Sequence, residues 1–352
     1  MNIMKMVDEN NQQVMEGSGR TSLYLLVATI LFLALMFMAW MSPVTAQAQN
    51  HEAMLGGHLA PRNSANTILN VITDNAREHE YGNMIIKLAI AGSRLEVDTK
   101  GDVNFDSLSS VLSLGWKNMS GIGETTVGLF AEGGSASYDT RNGLRGGGSV
   151  RGDGQVEHYG GGVFFHNLFS TNTYLEASAR GGSLDNSYDA RDGIRDKFDI
   201  SQTYYGAHLG VGQKMAVTPC AELDLYLKGI WTHTEGKTIR TSAVDRLKFD
   251  DIDSIRSRLG ARLTQGFDDD HQVKGYIGAA WEYEFNGEAK AKYVSGVNNR
   301  KDKAELKGST AFGEAGLIID PEDSIVSVDV GIFGMAGQQK GLGGTAGLKF
   351  EF

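Results

Sequence analysis

Cysteine is almost missing. Cys220 is the one thiol in 352 residues, so no intrachain disulfide can form; beside Pro219, in a predicted short turn, it is expected to be inert. Proline is scarce as well, with 4 in all, which excludes a proline-rich linker or repeat. Basic blocks are missing: 33 Lys and Arg stand against 43 Asp and Glu, a formal charge of −10, and this excludes nucleic acid as a partner. No set of His, Cys or carboxylates has the spacing of metal ligands, so no cofactor is expected. No Ser-x-His or paired-Asp signature stands out, and the chain does not read as an enzyme. Long apolar runs are missing after residue 41, whereas a helical membrane protein needs several spans of about 20 residues.

Glycine is abundant, at 46 residues, about twice its ordinary share. Apolar residues are spread singly rather than gathered into blocks, which suits short alternating strands better than long buried helices. The last eleven residues, LGGTAGLKFEF, show the pattern plainly. Leu342, Gly344, Ala346, Leu348, Phe350 and Phe352 share one face of an extended strand, and Gly343, Thr345, Gly347, Lys349 and Glu351 share the other. From residue 83 onward twelve such segments can be drawn, at 83–98, 107–118, 122–137, 155–168, 171–186, 201–215, 220–234, 252–267, 271–286, 305–319, 323–337 and 342–352. Each can supply the roughly 9–11 residues that a tilted strand needs to cross a bilayer.

The connections separate a membrane barrel from a soluble sandwich. Links after the second, fourth, sixth, eighth and tenth segments are short, and those after the first, third, fifth, seventh and ninth are long; the last hairpin, 338–341, departs from the rule. Short turns at one end and long loops at the other are the outer-membrane pattern, with an apolar face toward lipid and a polar face toward the lumen. The sequence therefore predicts a 12-stranded antiparallel outer-membrane β-barrel over 83–352. Trp116, Trp231, Trp281 and Phe352 fall near segment ends, as an interfacial girdle requires.

Ahead of the barrel, Leu23 to Met41 is apolar except for Thr29, Arg20 precedes it and Pro43 follows. With Ala46 and Ala48 as a small-x-small cleavage pattern, residues 1–48 read as a signal peptide, the alternative being an inner-membrane anchor. Met15 would make a more ordinary start. Residues 49–82 hold a short linker and one helix, predicted over 64–80. There Ala65, Ile68, Leu69, Ile72 and Ala76 recur at helical spacing, and Asn66, Asn70, Asp74 and Arg77 form a polar stripe. Ser64 can cap its start and Gly82 can end it. At 1.5 Å per residue it is about 25 Å long, close to the height of the apolar band of a barrel. It is therefore placed inside the lumen, its polar stripe toward charged walls; the alternative is a helix on a domain surface.

Parity assigns Arg256, Arg258 and Arg262 of the eighth segment to the lumen face, with Glu282 and Glu284 of the ninth and Glu314 of the tenth. Facing ladders of opposite charge make a charged wall, which suits any polar lumen and could also hold a helix or steer a chain in transit. His158, His166 and His208 share that parity. The segment 138–154 contains Arg151-Gly152-Asp153, an integrin-binding tripeptide when exposed, and reads as a flexible solvated loop.

The later segments resemble a known family. Ser254 to Leu263 (SIRSRLGARL), Tyr276 to Lys292 (YIGAAWEYEFNGEAKAK), Leu306 to Leu317 (LKGSTAFGEAGL) and the closing hairpin Ser327 to Phe352 are similar, in this order, to the translocator barrels of autotransporters, the monomeric kind of type V secretion. The resemblance covers about 83–352. It implies a twelve-stranded barrel plugged by an N-terminal helix, carrying a passenger to the cell surface. It also implies that Thr345, Gly347, Phe350 and Phe352 form the signal read by the barrel-assembly machinery, which, with periplasmic chaperones and outer-membrane lipid, would be its partners. A passenger of hundreds of residues is the family pattern. Here residues 49–63 alone separate the cleavage site from the helix, so the chain reads as nearly passenger-less, with a separately encoded passenger as one further partner. A passive porin-like channel and a surface-binding barrel are the alternatives. Some members release passengers through cyclisation of a helix Asn; Asn66, Asn70 and Asn75 are present without an Asn-Asn pair, and a polar contact role is expected for them.

Overall fold

In the computed structural model, residues 53–72, 83–98, 102–143, 149–190, 197–239, 247–267, 272–293, 301–322 and 324–352 are described. They form one helix, α1 (Ala53–Ile72), and sixteen strands. Twelve of these close into an antiparallel barrel: β1 (Met84–Asp98), β2 (Asp102–Ser120), β3 (Gly123–Gly143), β4 (Ser149–Phe169), β5 (Thr173–Ala190), β6 (Lys197–Thr218), β7 (Ala221–Thr234), β10 (Ile252–Gly266), β11 (Val273–Glu284), β14 (Gly308–Ile319), β15 (Val326–Gly337) and β16 (Gln339–Glu351). They follow the order of the twelve predicted segments, each beside its chain neighbour, and β16 returns to β1. The closing ladder runs from Ile85 opposite Glu351 to Val97 opposite Gln339. Met84 and Phe352 add reciprocal backbone bonds of 2.9 and 3.2 Å at its end.

Alternation decides which face each side chain takes. On β2 and β3, Leu108, Leu112, Trp116, Val127 and Leu129 are exposed, while Val103, Phe105, Val111, Glu124, Phe130 and Glu132 are buried. A water-soluble protein would invert this order. Here the exposed apolar row is the surface a bilayer covers, and its parity continues through Leu209, Leu227, Leu259, Ile277 and Ile332. Trp231, Trp281 and Phe352 lie on the same outward face near strand ends.

The strands are unequal. β2 to β6 hold 18–22 residues, and β11, β14, β15 and β16 hold 12 or 13. At about 3.3 Å per residue and a tilt near 40°, the longer set rises roughly 50 Å, twice the apolar band. This corrects the predicted loops. β2 starts at Asp102 rather than 107, β3 runs to Gly143 rather than 137, and β4 starts at Ser149 rather than 155. The Arg151-Gly152-Asp153 tripeptide is therefore not in a flexible loop: it sits within the ladder, opposite Arg141, Thr140 and Asp139. Above the bilayer the wall no longer needs an apolar outer face, so polar, Gly-rich sequence continues the strands.

The opposite side is built up differently. Four short strands, β8 (Thr238–Ile239), β9 (Leu247–Phe249), β12 (Glu288–Tyr293) and β13 (Lys301–Glu305), arise in the β7–β10 and β11–β14 connections and pair into a sheet of their own. Phe249, Ala289 and Ala304 from it, with Leu306, join one apolar cluster with Leu95, Val97, Val103, Phe105, Tyr138, Leu184 and Tyr204 of the barrel strands. The long-loop end of the lumen is thus filled by a hydrophobic core.

The short turns 121–122, 170–172 and 219–220 lie at the other end, as do the end of β14 and the start of β15. Cys220 occupies one of these turns and is not the inert thiol expected: it is partly exposed, and hydrogen bonds with Thr218 and Gln265 draw it below the ordinary pKa. A membrane-impermeant maleimide should leave Cys220 unlabelled on intact cells and label it once the outer membrane is permeabilised. Labelling of intact cells would invert this topology.

Candidate functional site: a helix held in the barrel lumen

α1 begins eleven residues before the predicted start at 64. Gly56, Gly57 and Pro61 are poor helix residues, which is why this stretch shows no helical signal in the sequence. Packing overrides propensity here. A Cβ on Gly56 would lie 2.4 Å from the Tyr138 ring, and one on Gly57 would lie 2.7 Å from Asn186 Nδ2, so bare backbone is what lets the helix approach the wall. Pro61 has no N–H to give, and Arg180 Nη2 donates to its carbonyl. Ser64 is consequently not a cap. It lies within the helix, its hydroxyl against His158 Nε2 and 3.4 Å from Ser109.

The helix has a definite direction. Leu59 and Ala60, near its start, belong to the apolar core at the long-loop end. Ile68 packs lower, among Ala89, Val111, Phe130 and Phe164, and Ala65 and Leu69 pack on Ile230. The N-terminal end points toward the long loops and the C-terminal end toward the short turns, where β1 begins. Among the described residues the helix meets a polar wall in its middle, at Asn66, and its upper part carries Leu59 and Ala60 into apolar surroundings.

At mid-height the helix meets charge. Glu282 of β11 accepts from three guanidinium groups: Arg62 Nη2 at 3.0 Å, Arg256 Nη1 at 3.2 and 3.3 Å, and Arg258 through Nε at 3.1 Å and Nη2 at 2.8 Å. Asn66 Oδ1 accepts from Arg256 at 3.2 Å and from Arg258 at 3.0 Å. Glu284 is held by Ser254 Oγ at 2.6 Å and the Ile255 N–H at 2.9 Å, with Arg62 at 3.7 Å. Cross-strand register makes this possible, because Arg256 lies opposite Glu284 and Arg258 opposite Glu282. Arg262 reaches past β11 to Glu314 on β14 at 2.8 Å. Gly278, the residue between them, leaves that path free, since a Cβ there would lie 2.6 Å from Glu314 Oε1.

The structure places the six wall residues side by side on the lumen face and brings Asn66 to two of them. It adds Arg62, which the late helix start left among unpatterned linker residues. Asn70 lies in the last turn of α1. Asp74, Arg77, Ala46 and Ala48 lie outside the described residues, as does Asn75. On β16, Thr345 and Gly347 face the lumen and line a cavity of about 40 Å³ beside Thr67, Lys87, Arg262 and Glu314, room for a few waters. Phe350 and Phe352 lie on the outward parity.

A second set of contacts escaped sequence reading, because its members are far apart along the chain. Glu132 accepts from Arg180 at 2.9 Å and from Tyr204 at 2.7 Å. Glu176 pairs with Lys228 at 2.9 Å and lies 3.4 Å from His208, and Lys117 pairs with Glu351 at 2.9 Å. His158 meets the helix and His208 meets Ser178, while His166 packs against the Tyr174 ring, so the three histidines serve separate contacts. Among the described residues no group of His, Cys, Asp or Glu could hold a metal ion.

A closed barrel with lipid-facing apolar rows and a helix running through its lumen defines a plugged outer-membrane β-barrel. Residues 86–326 match the family model for the autotransporter β-domain, and the chain belongs to that family. Solved structures agree on the fold. The β-domain of the Bordetella autotransporter BrkA superposes with a TM-score of 0.59 at 17% identity, over 77% of this chain and 100% of that one. The transport unit of AIDA-I from Escherichia coli gives 0.60 at 14%, over 83% and 98%. The translocator domain of NalP from Neisseria meningitidis gives 0.64 at 10%, over 84% and 97%. No curated protein sequence matches the chain significantly. The protein is an outer-membrane translocator barrel of autotransporter type, from a family whose role is passenger secretion.

Glu282→Gln would leave Arg62, Arg256 and Arg258 around a neutral amide in a site sealed from water. Breaking a buried charge cluster in this way should cost about 3–5 kcal/mol. Urea unfolding of the detergent-solubilised barrel measures it; an unchanged midpoint would show that the cluster does not hold the fold.

Proposed function

We propose that the barrel exports or displays the segment that precedes α1, and that α1 is the part of the exported chain left standing in the lumen. The carrying observation is the direction of the helix. Its N-terminal end lies at the long-loop, extracellular end, so whatever precedes it is delivered outward, while its C-terminal end leads back to β1 at the periplasmic side. A passenger carried ahead of α1 and a separately encoded one both fit this barrel. Buried charge at mid-height and apolar packing above it make the helix a plug.

Conductance in planar bilayers tests this reading. The intact chain should give small or rare openings, and a chain lacking 53–72 should give large steady ones. Steady large openings from the intact chain would favour a passive porin-like channel instead.

The closing strand carries the reading of how the barrel reaches the membrane. Phe350 and Phe352 stand outward at the end of β16, whose side away from β15 has no partner until it meets β1, so an assembly machine can read them before closure. Phe352→Ala should lower the folded, heat-modifiable fraction in the outer membrane severalfold while leaving signal-dependent export intact. Normal assembly of that variant would remove Phe352 from the signal.

A further inference from the structure

The cluster that holds the helix is not electrically closed. Arg62, Arg256 and Arg258 bring three positive charges, and Glu282 and Glu284 bring two negative ones, which leaves one positive charge in excess. Arg62 is 2% exposed and Arg256 1% exposed, so water does not screen the excess. Both carboxylates are already engaged, Glu282 by all three guanidinium groups and Glu284 by Ser254 and the Ile255 and Asn286 N–H groups. The remaining donors have no acceptor: Nε and Nη1 of Arg62, and Nε and Nη2 of Arg256. The last two form one edge of the guanidinium plane, the edge that grips an anion with two parallel N–H bonds. Arg258 uses that same edge on Glu282, whereas the edge of Arg256 makes no hydrogen bond to either carboxylate.

We propose that a small monovalent anion binds at this site, between α1 and β10, bonded to the Nε–Nη2 edge of Arg256 and the free donors of Arg62. One negative charge cancels the excess and satisfies donors that burial otherwise leaves unmet. Because Arg62 belongs to the helix and Arg256 to the wall, the anion ties the plug to the barrel, and the hold on the helix depends on anion supply.

The folded barrel is compared in sodium chloride and in sodium gluconate at equal ionic strength, gluconate being too large for a site sealed between helix and wall. The expected result is a melting temperature several degrees higher in chloride. Arg62→Gln, which removes the excess charge, should abolish the difference. Equal melting in the two salts for the wild-type chain, or an undiminished difference in Arg62→Gln, overturns the proposal. If Arg62→Gln does not fold, wild-type crystals grown in sodium bromide decide the matter. An anomalous peak in contact with the Arg256 edge supports the site, and water alone at that position overturns it.

Discussion

Every backbone N–H and C=O within a bilayer needs a partner, because lipid offers none. The ladder between β1 and β16 meets that demand for the two strands that would otherwise be edges. It joins the first and last parts of the barrel sequence, so closure waits for synthesis of the final residues. Once the ring is closed, the outward rows of Leu, Val, Ile and Trp are committed to lipid and the inward rows to a lumen of fixed width. What fills that width follows from the same closure.

The filling is layered. Toward the extracellular end the lumen is apolar, packed by Phe105, Tyr138, Tyr188, Phe198 and Phe249 around Leu59 and Ala60. Below this lies the charged belt, with Glu282 bridging three guanidinium groups. A buried ion cluster seldom adds net stability over a hydrophobic filling, because desolvation offsets the attraction. Its use here is positional. Arg62 and Asn66 meet β10 and β11 at one height only, and sliding α1 by a turn would strand buried charges on both sides. The apolar layer contributes affinity for the helix, and the charged layer sets its register.

Much of the architecture was legible in the sequence. Period-2 alternation is strongest where lipid faces one side and the lumen the other, so the twelve strands and their order could be drawn from residues alone. The same alternation put Arg256, Arg258, Arg262, Glu282, Glu284 and Glu314 on the inward face. Where the wall rises above the bilayer the outer face is free to be polar, the alternation fades, and stretches such as 102–106 and 149–154 read as loops. The helix start was missed for a related reason. Gly56, Gly57 and Pro61 are poor helix formers, and a close approach to Tyr138 and Asn186 favours the two glycines all the same.

Sequence by itself determined the barrel, its strand count, the sorting of short turns from long loops and the sign of charge on each wall position, since each follows from local periodicity. Tertiary structure alone decided which charges meet. Arg62 and Glu282 are 220 residues apart, Lys117 and Glu351 are 234 apart, and no local pattern connects them. Closing the ring brings such groups within reach, and the helix direction and the unmet donors of Arg256 appear only once the ring has closed around α1.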